Sequence, residues 1–566
     1  MTYCEPQKEK LVFMLLPYWT PLIPPMGLAC LKSYLSKYGY NVKNYDLNIS
    51  KDLRESFYQY LKVLESVVDE VPDGQFHNIA NEVLRNHLMC ELSDISEDES
   101  VELVETIFKL NFYQTIPRSE IDELNRIVTD IYDNIEKCFI EIMEKESPII
   151  LGLSIFNGTL PISLYVCKLA KVYNPDIKII VGGGIFSDDM APGSSSFERF
   201  LSNTPEIDKV FVGEGEILVL KYLQEKLDDD KKVYTQNEQV YGSILLESLD
   251  IPEFDDFQLD YYPYIATSVS RSCPFQCSFC SETVNWGKYR KKNPKQIVSE
   301  LKRLYTKYNR QIFLMADSLL NPVITELSDE LSQEDISFYW DGYLRADPDS
   351  CSLQNTFLWR KAGYYRARLG LESGSEKVLK LMDKKIVPSQ IKKAVACLAE
   401  AGIKTTTYWV VGYPGETEED FQQTLDLISE MKDDIYEAHC NSFAYYQTGQ
   451  VSSKKWREEY NEYSLYPEKY KDNLLLETFM LKTKVSREEV YNRVKRFNNH
   501  LHSLGIADPL SLHDIYQADL RWKNLHYTAV PMLAEFSDST YINENKNIKI
   551  PEANARNAEI NDWCFD

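Results

Sequence analysis

The sequence predicts an α/β protein in three parts: an N-terminal Rossmann-like domain, a partial (β/α)6 barrel, and a mostly helical C-terminal region. Three observations carry this. Apolar strand-like runs alternate with helical patterns between residues 11 and 227, and do so again from Ile265 to Tyr446. Glycines stand directly after runs of the first series, as in IKIIVGGG and VFVGEGE. Residues 450–566 lose the alternation and become rich in Tyr and Trp.

LVFMLL opens the first series. From Met26 to Tyr38, apolar residues recur at helical spacing (Cys30, Leu31, Tyr34, Leu35, Tyr38), Gly39 caps the end, and NVKNYDLN reads as a second strand. Residues 50–147 form a helical insertion of amphipathic stretches such as LRESFYQYLKVLESVV; its charge run ELSDISEDESVELVE reads as a solvated helix face. PIILGLSIF, a helix over 160–172, IKIIVGGG, VFVGEGE and a helix from Ile217 complete a parallel α/β domain over 1–227. Residues 228–262 read as a linker. The barrel spans 263–449, with strands at IATSVS, QIFLMAD, SFYWDGYLR, YYRARLGLE, KTTTYWVVGYP and IYEAHCNSFAYY. One intervening helix places Ile297, Val298, Leu301, Leu304, Tyr305 and Tyr308 on one face, and another opens with a capping box from Thr417 to Asp420. The helical C-terminal domain is 450–566, and its NENKNIKIPEANARNAEIND segment reads as loose.

A net charge of -25 disfavours nucleic acid, a polyanion that needs a basic surface. No 18-residue apolar run occurs, so no membrane span is expected. MTYCEPQKEK lacks the marks of a signal peptide, and a cytoplasmic location follows as the expectation. There the 12 cysteines stay reduced.

Three cysteines are not scattered. SRSCPFQCSFCSE sets Cys273, Cys277 and Cys280 in a C-x3-C-x2-C loop after the first barrel strand, at the end of a barrel where sites are built. Three thiolates at this spacing wrap one face of a 4Fe–4S cluster and leave the fourth iron open. Structural zinc and ferredoxin-type clusters want four ligands, yet the next cysteine is Cys351 and the nearest histidine His439.

This loop resembles the cluster loop of radical SAM enzymes. The resemblance implies that the open iron chelates S-adenosylmethionine, whose reductive cleavage gives a 5′-deoxyadenosyl radical, and that Phe279 lies against the adenine. LMADSLLN, with Asp317 and Ser318, resembles the second-strand motif that helps hold the methionine end. LGLESGSEKVLKLMDK resembles the fourth-strand motif, by which Glu372 would bond the ribose hydroxyls; WVVGYPGETEEDF resembles the fifth, whose backbone at Gly412 borders the adenine. Each motif is weak alone, and their order is the specific signal. Arg345 in GYLRAD either pairs with a carboxylate of cofactor or substrate or makes a structural salt bridge.

Residues 11–227 resemble the cobalamin-binding domain that precedes the barrel in one radical SAM subfamily. By that likeness the loops holding Ser154 and Gly182, Gly183 and Gly184 enclose the cobalamin nucleotide tail, while Gly213 and Glu214 lie near the corrin. Two departures stand out. No Asp-x-His-x-x-Gly motif occurs, so no histidine ligates cobalt in the usual way, and Trp19 within Pro17–Thr20 is the expected residue beneath the corrin. The insertion at 50–147 is also long for this domain, and serves as lid, recognition element or packing.

The resemblance implies a cobalamin-dependent radical SAM methyltransferase acting on an unactivated carbon of a small-molecule or peptide substrate, with a one-electron reductant such as flavodoxin or ferredoxin. Rearrangement or ring closure without methyl transfer is the enzymatic alternative. A non-catalytic metal or redox protein is the alternative of another class. Methylthio-transfer enzymes need a second three-cysteine cluster in the N-terminal domain, which Cys4, Cys30, Cys90, Cys138 and Cys167 do not resemble. Trp456, Trp522 and Tyr445 read as core, and His500 with His502 as a helix surface.

Overall fold

The computed structural model describes residues 10–526 except 70, 237–243, 337 and 510–511, with the side chains of 512–513 also left undescribed. Cys4, Cys564 and the segment read as loose lie outside the described residues.

The first half is one parallel sheet. In chain order it runs β1 (Lys10–Leu15), α1 (Met26–Ser36), β2 (Asn41–Asp46), then the insertion as α2 (Lys51–Val67), α3 (Asp73–Glu91), α4 (Glu97–Phe112) and α5 (Arg118–Glu146). It continues through β3 (Ile150–Ser154), α6 (Leu160–Tyr173), β4 (Lys178–Gly182), α7 (Ser195–Asn203), β5 (Lys209–Phe211), α8 (Gly215–Leu223) and β6 (Val233–Tyr234). The strand order is β2-β1-β3-β4-β5-β6. Strands buried on both faces read as unbroken apolar runs, which is why LVFML lacks alternation. Leu11, Phe13 and Leu15 pack into the core shared with the barrel, while Val12 and Met14 pack into the core shared with the insertion. The insertion helices amplify this second core; α4 opens on a Ser96–Glu99 capping box.

The boundary expected at residue 227 is corrected: β6 pairs in parallel with β5, so the sheet runs on into the segment read as a linker. The described residues of that segment also carry apolar packing. Ile251, Phe254, Phe257 and Tyr262 are buried, and the Asp256 carboxylate accepts from Lys32, Lys43 and the Asn44 backbone. Its polar stretch masked an apolar strap.

The second half holds β7 (Ile265–Thr267), β8 (Ser270–Arg271), α9 (Glu282–Trp286), β9 (Arg290–Lys291), α10 (Pro294–Tyr308), β10 (Ile312–Met315), α11 (Ile324–Leu331), β11 (Tyr339–Leu344), α12 (Leu353–Lys361) and β12 (Tyr364–Glu372). Then come α13 (Glu376–Leu381), α14 (Pro388–Glu400), β13 (Lys404–Val411), α15 (Glu418–Glu430) and β14 (Glu437–Ser442). Six parallel strands in the order β14-β13-β12-β11-β10-β7 form the open barrel, while β8 and β9 pair as a separate antiparallel ladder. Trp340, Trp359 and Trp409 fill its core. Beyond β14, Ala507 makes a parallel bridge to Glu437 and covers the edge.

The C-terminal region is α16 (Ser453–Glu459), β15 (Glu462–Ser464), α17 (Lys471–Leu474), β16 (Phe479–Leu481), α18 (Arg487–Ser503) and α19 (Leu512–Leu525). Mostly helical as expected, it adds the antiparallel β15–β16 pair, and Tyr466, Tyr470 and Leu474 enter the insertion's core. Trp456 and Trp522 are buried in the core, while Tyr445, also buried, lines the cavity described below. No helix among the described residues is long and apolar enough to cross a membrane.

Candidate functional site

The cysteine loop leaves the β8 strand at Arg271 and is set by backbone bonds rather than by regular structure. Ser272 adopts φ +70 immediately before Cys273, and its hydroxyl donates to the Gly287 carbonyl at 2.7 Å. Within the loop, Cys280 N–H bonds Cys277 C=O, and Ser278 N–H bonds Met382 C=O at 2.9 Å. From outside, Val451 and Ser452 donate to the carbonyls of Cys280 and Ser278. Burial pushes the Cys280 thiol up to about 12 and raises that of Cys273, so each loses its proton to solvent only when a metal cation takes the sulfur in exchange. Among the described residues no three His, Cys, Asp or Glu side chains converge on a single-ion position. Ligands that each hold a different corner of a four-iron cluster need not converge so, and the donor set fits such a cluster.

The residues expected around S-adenosylmethionine gather at the C-terminal ends of the barrel strands, with distinct employment. Glu372 ends β12 at φ +67, just past a register break against β13. Its carboxylate accepts from Lys384 Nζ at 2.7 Å, and that ammonium also lies 5.7 Å from the Phe279 ring. A side chain at Gly370 would strike this pair, since a Cβ there falls 2.7 Å from the Glu372 carboxylate oxygen. Arg345, just past β11, donates Nη1 to Cys277 Sγ at 3.6 Å and stacks 4.1 Å above Phe275. It makes no salt bridge among the described residues. Gly412 has φ +83; its N–H donates to Glu416, which Arg493 holds at 2.9 Å. Asp317 faces the other way: both of its oxygens accept from Val269 N–H, and one also accepts from the Ser270 N–H and hydroxyl, fixing the lead into the cysteine loop. Burial raises the Asp317 carboxyl to about 6 against these bonds. Ser318 donates to Glu282.

In the first sheet the order in which strands are added reverses between the parallel strands β1 and β3, and open α/β sheets take ligands in the crevice beyond such a switch point. The loops there are Pro17–Thr20 and Ser154–Asn157. Trp19 is 43% exposed and packs 4.6 Å from the Phe156 ring, with its N–H on the Asn48 side chain at 2.6 Å. Next along, Gly183 has φ +116, and a Cβ on it would fall 2.4 Å from the Ile155 carbonyl oxygen. Gly182 accepts from Ile155 N–H at 2.7 Å, so the loops after β3 and β4 are knitted together beside Trp19. An exposed aromatic beside a glycine cradle fits a large planar ligand with a tail.

Glu214 is employed elsewhere. Its carboxylate, 2% exposed, takes Arg271 at 2.9 Å and Arg290 at 2.6 Å, and Glu216 takes the other arm of Arg271 at 2.5 Å. These pairs clamp the first sheet to the root of the cysteine loop. Arg271, Arg290, Lys384 and Arg493 went unnoticed in the sequence because each acts through a partner from a distant element.

A cavity of about 920 Å3 touches each set of loops at one residue and is lined by neither the cysteine loop nor Trp19 and Gly182–Gly184. Gly412 and Asn157 line it, together with Gln75, Glu82 and Arg85 of α3, the 440–447 segment, and Phe479–Leu481. Arg85 donates to Asn157 at 2.6 Å, and Asn157 donates to Asp189 at 2.9 Å, so the insertion is bonded into the cavity wall.

Residues 267–428 match the radical SAM superfamily model. The anaerobic magnesium-protoporphyrin IX monomethyl ester cyclase of Rubrivivax gelatinosus is 26% identical over 318 residues, 51% of this chain and 55% of that protein. The chain thus spans about half the length of the curated relatives it matches first. Among solved structures, the radical S-adenosylmethionine methyltransferase TsrM from Kitasatospora setae, with cobalamin and a 4Fe–4S cluster bound, superposes with a TM-score of 0.53 at 14% identity, over 80% of this chain and 78% of that one. The cobalamin-dependent S-adenosylmethionine radical enzyme OxsB, with aqua-cobalamin and S-adenosylmethionine bound, gives 0.51 at 15% identity, over 90% of this chain and 63% of that one. At such identities the likeness is one of fold. Residues 267–428 are therefore a radical SAM domain, and the chain as a whole has the fold of solved cobalamin-dependent radical SAM enzymes.

Proposed function

We propose that this protein is a cobalamin-dependent radical SAM enzyme that methylates an unactivated carbon of a small-molecule or peptide substrate. The observation that carries this reading is the shared cavity: the glycine at one candidate cofactor site and the asparagine beside the other line the same space. When bound, a 4Fe–4S cluster with S-adenosylmethionine supplies a hydrogen-abstracting radical, and cobalamin supplies a transferable methyl group. Cys273, Cys277 and Cys280 would hold the cluster. Glu372, held by Lys384, would take the ribose hydroxyls, and Phe279 and the Gly412 backbone would border the adenine. Trp19 and Gly182–Gly184 would hold cobalamin. The α3 wall positions substrate and excludes water. An external one-electron donor is needed.

The test is the metal content of anaerobically purified protein grown with cobalamin. About four Fe and one Co per chain are expected. Replacing Cys273, Cys277 and Cys280 with Ala should abolish the iron and spare the cobalt. Zinc in place of iron would sink the reading. The cyclase relative favours a second reading in which the same machinery closes a ring. Product mass separates them, because methylation carries label from the S-adenosylmethionine methyl group and cyclisation does not.

A further inference from the structure

A buried guanidinium beside the cysteine loop lacks an anion. Arg345 is 5% exposed, and its backbone is pinned from both sides by the Asn321 side chain, which accepts from its N–H at 2.8 Å and donates to its carbonyl at 3.0 Å. The side chain therefore has one place to go. It lies flat on Phe275 at 4.1 Å and points Nη1 at Cys277 Sγ, 3.6 Å away, while Nη2 is buried with no partner.

Among the described residues, three other cations around the loop have carboxylate partners. Lys384 has Glu372, Arg271 has Glu214 and Glu216, and Arg290 has Glu214. Among the described residues no carboxylate reaches Arg345. Guanidinium cannot shed its charge, and a buried charge without a counter-charge is costly, so the site favours an anionic group beside Arg345.

We propose that Arg345 is the counter-ion of the cluster at its Cys277 corner, and that this N–H···S contact sets the cluster's reduction potential. The inference rests on the cluster reading above. An electron added to the cluster makes it more negative, and a fixed positive charge bonded to one of its sulfurs favours that reduced state. Arg345 is thus a positioning and tuning residue, distinct from a group that handles substrate.

The experiment is a potentiometric titration, followed by electron paramagnetic resonance, of the full chain reconstituted with iron and sulfide and without S-adenosylmethionine. Wild type, Arg345→Gln and Arg345→Lys are compared. Arg345→Gln, with about four Fe retained, should be harder to reduce by at least tenfold in the equilibrium, which is 59 mV for one electron. Arg345→Lys should fall between it and wild type. An unchanged potential in Arg345→Gln overturns the proposal. Should Arg345→Gln hold no iron, retention by Arg345→Lys supports it, because the charge alone separates the two; loss in both overturns it. A wild type without a four-iron cluster would instead strike down the cluster reading, and the iron analysis reports that separately.

Discussion

Ser272 and Glu372 both adopt left-handed backbone conformations, at φ +70 and +67, in residues that are not glycine. Such conformations cost about 1–2 kcal/mol each and persist where the surroundings over-determine them. One precedes the cysteine loop and the other ends β12, so the strain falls on the candidate cofactor site. Lys384→Met leaves Glu372 buried without its partner and should destabilise the barrel by about 3 kcal/mol; Glu372→Gln should cost less, since an amide needs no counter-charge. Denaturant melts of the two variants decide this. Gly183→Ala offers a cleaner separation. Its Cβ would meet the Ile155 carbonyl oxygen at 2.4 Å in a backbone region closed to alanine, and the two loops must part. The expected outcome is lost cobalt with iron retained, read by metal analysis. Residues that belong to a local motif, such as the three cysteines, are legible in sequence because spacing carries the information. Lys384 and Asn321 are not, because their roles come from folding alone.

Among the elements, α15 was legible down to its first turn. The Thr417–Asp420 capping box forms as the sequence pattern requires. Burial alone would raise the Asp420 carboxyl, but bonds from Lys377, Ser375 and Thr417 outweigh it and hold the group at about 2. A depressed carboxylate stabilises the fold above its unfolded pKa near 3.8, and that contribution is lost as pH falls from about 4 towards 2. Asp420→Asn should remove about 2 kcal/mol at neutral pH and flatten the acid limb of the melt in that window. In the insertion, burial pushes His87 down to about 4, with Asn125 bonding it in partial opposition. The unfolded chain then binds the extra proton between pH 6.5 and 4, so α3 should loosen as pH falls through that window, by up to about 3 kcal/mol. Hydrogen exchange on α3 at pH 7 and pH 4.5 measures it; equal protection would rule it out. The elements that sequence missed, β6 and the β15–β16 pair, are two or three residues long. No periodicity exists over so few residues, and only a neighbouring strand defines them.

For the whole molecule, the order of the two sheets was readable from alternation, and their docking was not. Docking rests on pairs from distant parts of the chain, with the Glu214–Arg271–Arg290 clamp most deeply buried. Glu214→Ala leaves Arg290 without a carboxylate and Arg271 with Glu216 alone, and should cost about 3 kcal/mol. Because Arg271 stands two residues before Cys273, the cysteine loop should lose exchange protection along with the interface. Unchanged protection over residues 270–282 would mean that the loop holds itself.

The insertion leaves the first sheet after β2 and returns at β3, strands that flank β1. β2 ends opposite Leu15 and β3 begins opposite Leu11, so two strand spacings of about 4.8 Å across and four residues of about 3.3 Å along set the stems roughly 16 Å apart. The entropy of closing a longer excursion between fixed stems grows only logarithmically, so excursions of quite different length cost nearly the same. Evolution therefore has a splice point here. On the function proposed above, exchanging this cavity wall would change the substrate while the strands and loops of the two candidate cofactor sites stay untouched. Diversification in this architecture needs no new chemistry, only a new graft between two strand ends.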